Sequence, residues 1–191
     1  MAGVRTIAVI GAGTLGRNIA QVAALGGFHT ILEDILPGSL RTADAEIRRA
    51  LDQAVAEGRL EQSATEAALA RIEYASSVEQ AARAADLIIE AVPDEMESKL
   101  EILTLLDKVS RPGTMLACTS STISVTELAS VTYRAEKILG LRFGAFDGAG
   151  NELEIVRGQE TDDETVTASC DAGRRMGRKV VVMKEARAIP E

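Results

Sequence analysis

AVIGAGTLGRNIA, residues 8–20, places Gly11, Gly13 and Gly16 directly after an apolar run and at the opening of a helix. Three glycines at this spacing mark many tight turns, so position decides what they mean. Between a strand and a helix, the first glycine allows the turn and the second lets a diphosphate approach the backbone. The third lets the helix pack closely on the strand. The helix amino terminus adds unpaired N–H groups and a partial positive charge. The expected phosphate contacts are therefore Gly11, Gly13, Thr14, Leu15 and Gly16.

The next apolar run, HTILED (29–34), ends in Glu33 and Asp34. Asp34 falls near the ~20-residue spacing at which an acid binds the adenosine ribose hydroxyls. A carboxylate there accepts from the diol and repels a 2′-phosphate, so NAD is favoured over NADP. Strand alternation turns Glu33 toward the opposite face.

Further runs follow at RIEYA (71–75), DLIIEAV (86–92), TMLACT (114–119), KILGLRF (137–143), ELEIVR (152–157) and KVVVMK (179–184), separated by amphipathic segments. Strands alternating with helices require crossovers, which build a largely parallel sheet covered on both faces. The expected architecture is one α/β domain over 1–191, a Rossmann-type doubly wound sheet of about eight strands. The link from 143 to 152 is too short for a helix, so the strand at 152–157 is expected to run antiparallel to its neighbour. Ser63 with Glu66, Ser124 with Glu127, and Thr161 with Glu164 fit capping boxes. Ile47, Leu51 and Val55 recur at helical spacing before Gly58, and a helix over 162–176 is expected to stop at Gly177.

Apolar residues make up 46% and charged residues 26% of the 191, enough for a full core. The net charge of −8 repels a polyphosphate backbone and argues against nucleic acid. Cys118 and Cys170 lack metal-ligand spacing, so reduced thiols and no metal are expected. The absence of a long apolar run or a leader-like start points away from the membrane and toward the cytoplasm.

Beyond the glycine loop, IGAGTLGRNIA, GFHTILED, DLIIEAVPDEMESK, TSSTISVTELA, GLRFGAF, ELEIV and the closing KVVVMKEARAIP resemble the amino-terminal domain of the 3-hydroxyacyl-CoA dehydrogenase family, across essentially the whole chain. The resemblance implies an oxidoreductase of fatty acid metabolism that moves hydride between NAD and a 3-hydroxyacyl or 3-ketoacyl substrate. It implies cofactor contacts at Ala91, Asp94 and Lys99, and a hydrogen bond from Ser121 to the reacting oxygen. Glu154 matches the glutamate that orients a catalytic histidine, but the histidine position holds Arg142. Thr119, Ala145 and Phe146 stand where the family has Asn, Asn and Pro.

Arginine keeps its charge and cannot act as a general base near neutrality, whereas histidine can. Arg142 is therefore expected to pair with Glu154 across adjacent strands, a bidentate contact being open to its fork of donors, and losing one partner would cost about 3–5 kcal/mol if the pair is buried. Two alternatives stand beside a working enzyme: an NAD-binding module that senses or scaffolds, and a half-enzyme completed by another chain. The sequence ends at Ile189, Pro190 and Glu191, where the family continues into a helical domain. A homodimer is expected if such a domain follows, and an apolar patch near the carboxyl terminus if another chain supplies it.

Overall fold

A computed structural model describes residues 3–146 and 150–185. The strands are β1 (Thr6–Ile10), β2 (His29–Glu33), β3 (Ile72–Ala75), β4 (Leu87–Glu90), β5 (Met115–Cys118), β6 (Ile138–Phe143), β7 (Glu152–Arg157) and β8 (Lys179–Lys184). The helices are α1 (Thr14–Leu25), α2 (Pro37–Ala56), α3 (Gln62–Leu69), α4 (Val78–Ala84), α5 (Met96–Val109), α6 (Val125–Ala129) and α7 (Asp163–Arg175). Each expected strand is present to within about two residues, the ordinary uncertainty of a strand end.

The sheet order is β3-β2-β1-β4-β5-β6-β7-β8. Strands β1 to β6 run parallel, β7 pairs antiparallel with β6, and β8 returns through α7 to lie parallel to β7. After β1 the chain winds outward to β2 and β3, then crosses back to β4 on the other side of β1. In such a sheet the crevice for a ligand opens at the carboxyl ends of these two strands.

The core has two layers, because strands buried on both faces need a cover on each. One layer joins Ile7, Val9 and Leu32 to Ile19 of α1, Leu51 of α2 and Cys170 of α7. The other joins Ala8, Ile10 and Ile31 to Ala81 of α4, Leu103 of α5 and Leu128 of α6. The four residues of β4 are all buried, as are those of β5, so any polar group there must find an internal partner.

Helix ends follow the sequence in part. The Ser124 hydroxyl accepts from the Glu127 N–H at the start of α6, and Gly58 and Gly177 have φ of 70° and 74° just beyond α2 and α7. Two expected capping boxes do not form. Helix α3 starts earlier, with Glu61 at its N-cap, which puts Ser63 inside the first turn. At α7, Asp162 caps by accepting from the Thr165 N–H. The Thr161 hydroxyl is committed elsewhere: it donates to the Ile138 carbonyl and accepts from the Gly158 N–H. The end of the closing motif, including Ile189, Pro190 and Glu191, and the patch expected there lie outside the described residues.

Candidate active-site cleft

A cavity of about 820 Å³ opens along the carboxyl edge of the sheet. Gly11, Gly13, Thr14, Leu15, Asp34, Ala91 and Asp94 line one end, and Ser121, Arg142 and Phe143 line the other. Residues far apart in sequence meet here because every parallel strand delivers its following loop to the same edge. A larger cavity, about 950 Å³, lies at the amino ends of the strands, around Arg5, Asp86 and Arg111. There Asp86 already holds the Arg5 and Thr6 N–H groups and the Arg111 guanidinium.

The glycines divide as their proposed tasks require. Gly11 has φ of 103°, and a Cβ there would lie 2.8 Å from the Ala91 carbonyl oxygen. A Cβ on Gly16 would lie 1.8 Å from the Gly11 oxygen, so Gly16 serves helix packing and does not line the cleft. Gly13 differs from both: an added Cβ would meet nothing within 4 Å. The open space over Gly13 is where a diphosphate would come to rest. Helix α1 has Gly13 as its N-cap, no side-chain cap and no acid in its first turn, leaving its amino terminus available to an anion. These residues fit NAD.

Asp34 is at the cleft, and it also ties the cleft together. Its Oδ2 accepts from the Ala12 N–H at 3.0 Å, and its Oδ1 from the Leu36 N–H at 2.9 Å. A carboxylate has about four lone-pair sites, so acceptor capacity remains for a ribose diol.

Lys99 does not face the cleft. It is fully buried, and its Nζ donates to Glu90 Oε1 at 2.7 Å and to the Thr119 carbonyl at 3.0 Å, with Asp94 at 3.8 Å. The position expected to touch cofactor is thus a support behind the wall. The same Glu90 Oε1 accepts from the Thr119 N–H at 2.9 Å. Both backbone groups of Thr119 are therefore held by one buried ion pair. Burial pushes the Glu90 carboxyl up to about 7, while the charge and hydrogen bond of Lys99 pull it down.

This clamp carries the loop that bears Ser121. The neighbouring Ser120 hydroxyl accepts from the Thr122 and Ile123 N–H groups, which curls the loop and leaves Ser121 exposed on the cleft side. Arg142 projects from β6 on the facing wall and donates from Nε to the Ser120 carbonyl at 3.1 Å. It sits opposite Glu154 in the β6–β7 register, as expected.

The expected pair is present but loose. Arg142 Nη1 and Glu154 Oε2 are 3.8 Å apart, with 36% and 39% of the side chains exposed. The ladder sets the two residues side by side, but the guanidinium turns toward the Ser120 carbonyl. Such a half-exposed contact contributes little, up to about 1 kcal/mol. Glu154 itself does not line the cleft. Beyond Arg142, Phe143 stacks on Phe146 at 5.7 Å, and Arg178 lies over Phe146 at 4.4 Å while donating to the Ala145 carbonyl. The replaced positions Ala145 and Phe146 thereby form an apolar, cation-capped flank.

Glu90, Ser120 and Glu33, which also lines the cleft, were not picked out by sequence reasoning as working residues. An acid inside the apolar run LIIEAV (87–92) was the available signal for Glu90. Among the described residues no group of three His, Cys, Asp or Glu side chains is placed to hold a metal, and no helix is long and apolar enough to cross a membrane.

A doubly wound sheet with an open glycine loop, an acid at the tip of β2 and a cleft beside its switch point defines a dinucleotide-binding domain. Residues 6–186 match the family described as 3-hydroxyacyl-CoA dehydrogenase, NAD binding domain, and the chain belongs to that family. The 3-hydroxybutyryl-CoA dehydrogenase of Bradyrhizobium diazoefficiens is 34% identical over 182 residues, which cover 95% of this chain and 62% of that protein. A probable 3-hydroxybutyryl-CoA dehydrogenase of Bacillus subtilis is 29% identical over 182 residues, with coverage of 95% and 63%. The crystal structure of (S)-3-hydroxybutyryl-CoA dehydrogenase from Ralstonia eutropha superposes with a TM-score of 0.91 at 30% identity, covering 96% of this chain and 64% of that one. The chain thus spans about three fifths of the length of these relatives.

Proposed function

We propose that this chain is the cofactor-binding part of an NAD-dependent oxidoreductase that interconverts 3-hydroxyacyl and 3-ketoacyl thioesters. The observation that carries this reading is the single cleft joining Gly13 and Asp34 at one end to Ser121 and Arg142 at the other. When bound, the nicotinamide supplies or takes the hydride. Ser121 offers an exposed hydroxyl to the reacting oxygen, and Arg142 offers a fixed guanidinium to the charge that grows on it. Arg142 cannot exchange a proton near neutrality, so in the reductive direction solvent water delivers the proton to the alkoxide.

Missing general acid–base help removes roughly 10²- to 10⁴-fold in rate, in both directions alike, because the base of oxidation is the acid of reduction in one shared transition state. NADH oxidation with acetoacetyl-CoA, measured beside an Arg142→His variant, tests the reading. Slow reduction by the native protein and a gain of ~10²-fold by the variant are expected. No turnover in either protein would refute an enzymatic role for this chain by itself.

The same Arg142 favours a second reading, an NAD-binding module without turnover, because the Arg142–Glu154 contact is open and half-exposed. Micromolar NADH binding together with a silent assay would select it.

A further inference from the structure

Glu33 is the cleft residue to which the reaction above gives no task. It closes β2 at 2% exposure, in register with Ile10 on one side and Ala75 on the other. Strand residues two apart share a face, so Glu33 follows Ile31 into the apolar layer packed on α4 and α5, to which Ile10 and Ala75 also belong. It nonetheless lines the cleft, beside Asp34, Ile35 and Val78. Its Oε1 is buried without a hydrogen-bond partner. A buried polar atom left unpaired costs roughly 1–3 kcal/mol, so its persistence calls for an explanation.

We propose that Glu33 reads the adenine base of the bound dinucleotide, its carboxyl group donating a hydrogen bond to a ring nitrogen. The proposal rests on the NAD reading above. Asp34, one residue on, is placed for the ribose of the same nucleoside, and the side chains of Ile35 and Val78 give a flat base apolar surfaces beside that sugar. Adenine ring nitrogens are acceptors. An ionised glutamate offers only acceptors, whereas the neutral acid offers an O–H.

The surroundings favour the neutral acid. Burial, and then the adjacent charge of Asp34, push the Glu33 carboxyl up to about 7. The other titratable groups on the elements around β2 are turned elsewhere. On β3, Glu73 pairs with His29 at the far end of the strand, and the Tyr74 hydroxyl donates to Asp44. On α4, Glu79 and Arg83 pair with each other at the surface. Asp94 lies toward Lys99. A base laid over the carboxyl removes more water and favours the neutral form further.

Binding at the adenosine end therefore takes up or retains a proton, and affinity is full below about pH 7 and falls above it. Calorimetric titration of ADP-ribose and of NADH into the native protein, Glu33→Gln and Glu33→Leu, at about pH 6 and about pH 8.5, tests this. ADP-ribose should bind the native protein roughly tenfold more weakly at the higher pH. Glu33→Gln keeps a donor that does not titrate, so its affinity should stay near the native value of the lower pH at both conditions. Glu33→Leu should bind roughly tenfold more weakly than native at about pH 6, with circular dichroism checking that it folds.

A native affinity that does not change with pH overturns the proposal, as does Glu33→Gln binding no better than Glu33→Leu. A pH effect seen with NADH and absent with ADP-ribose also overturns it, by placing the proton at the nicotinamide end. Failure of every protein to bind NADH would instead strike the NAD reading itself, and this inference with it.

Discussion

Replacing Lys99 by Met removes one half of a fully buried ion pair while keeping an unbranched side chain of similar length. Breaking such a pair costs about 3–5 kcal/mol when the surviving partner stays charged. Glu90 can escape part of that cost by taking a proton. In the native protein its carboxyl already lies at about 7, raised by burial and restrained by Lys99; without Lys99 it must rise further. Native Glu90 is half protonated at about pH 7 and gives up its extra proton by about pH 8.5, relative to the unfolded chain, whose glutamates ionise near ~4.3. The folded variant still holds one. Where the folded state binds more protons, stability falls as pH rises, here by about 1.36 kcal/mol per pH unit in the variant alone. The deficit of Lys99→Met should therefore grow by about 1.5 kcal/mol from pH 7 to pH 8.5, and change by less than ~0.5 kcal/mol from pH 7 down to about pH 6. Urea unfolding followed by circular dichroism at each pH measures it, with an unchanged m-value as the check on two-state behaviour. The Glu90→Gln, Lys99→Met double variant should show no such growth. An equal deficit at all three pH values would refute the argument that Glu90 is left as the uncompensated charge.

The glycine loop offers a contrast between stability and binding. Gly16→Ala drives a methyl against the Gly11 carbonyl, with a Cβ at 1.8 Å before any shift, and should destabilise the fold by more than ~2 kcal/mol in chemical denaturation. Gly13→Ala meets no neighbour and keeps an allowed backbone at φ −65° and ψ −172°, so stability should change by less than ~0.5 kcal/mol. Its methyl occupies the space meant for the diphosphate, so NADH affinity measured by calorimetry should fall roughly tenfold or more. Glu154→Gln should cost less than ~1 kcal/mol in urea unfolding, because the contact with Arg142 is long and open; a loss of several kcal/mol would mean that the pair closes in solution.

Reading the chain alone, the local pattern was sufficient for the elements and their order. Apolar runs of strand length, spaced by helical periodicity, leave little choice but crossovers and a parallel sheet, and the short link before Glu152 dictates the reversal at β7. The placement of Gly11, Gly13 and Asp34 at the cleft was legible for the same reason, since it follows from backbone geometry within one βαβ unit. Arg142 opposite Glu154 was legible as a register, since facing positions on a tight antiparallel pair are set by the connection.

The tertiary structure decided what the side chains do once strands distant in sequence share an edge. Whether Arg142 reaches Glu154 or the Ser120 carbonyl depends on β5 and its loop standing next to β6, which strand periodicity does not encode. The family resemblance put Lys99 at the cofactor, yet α5 packs it inward onto Glu90 and Thr119. Glu33 looked like the idle neighbour of Asp34, and only burial between Ile10 and Ala75 gives it an altered chemistry. Periodicity is a property of adjacent residues. Desolvation and charge pairing depend on everything within a few ångströms, and that neighbourhood exists only after the chain has folded.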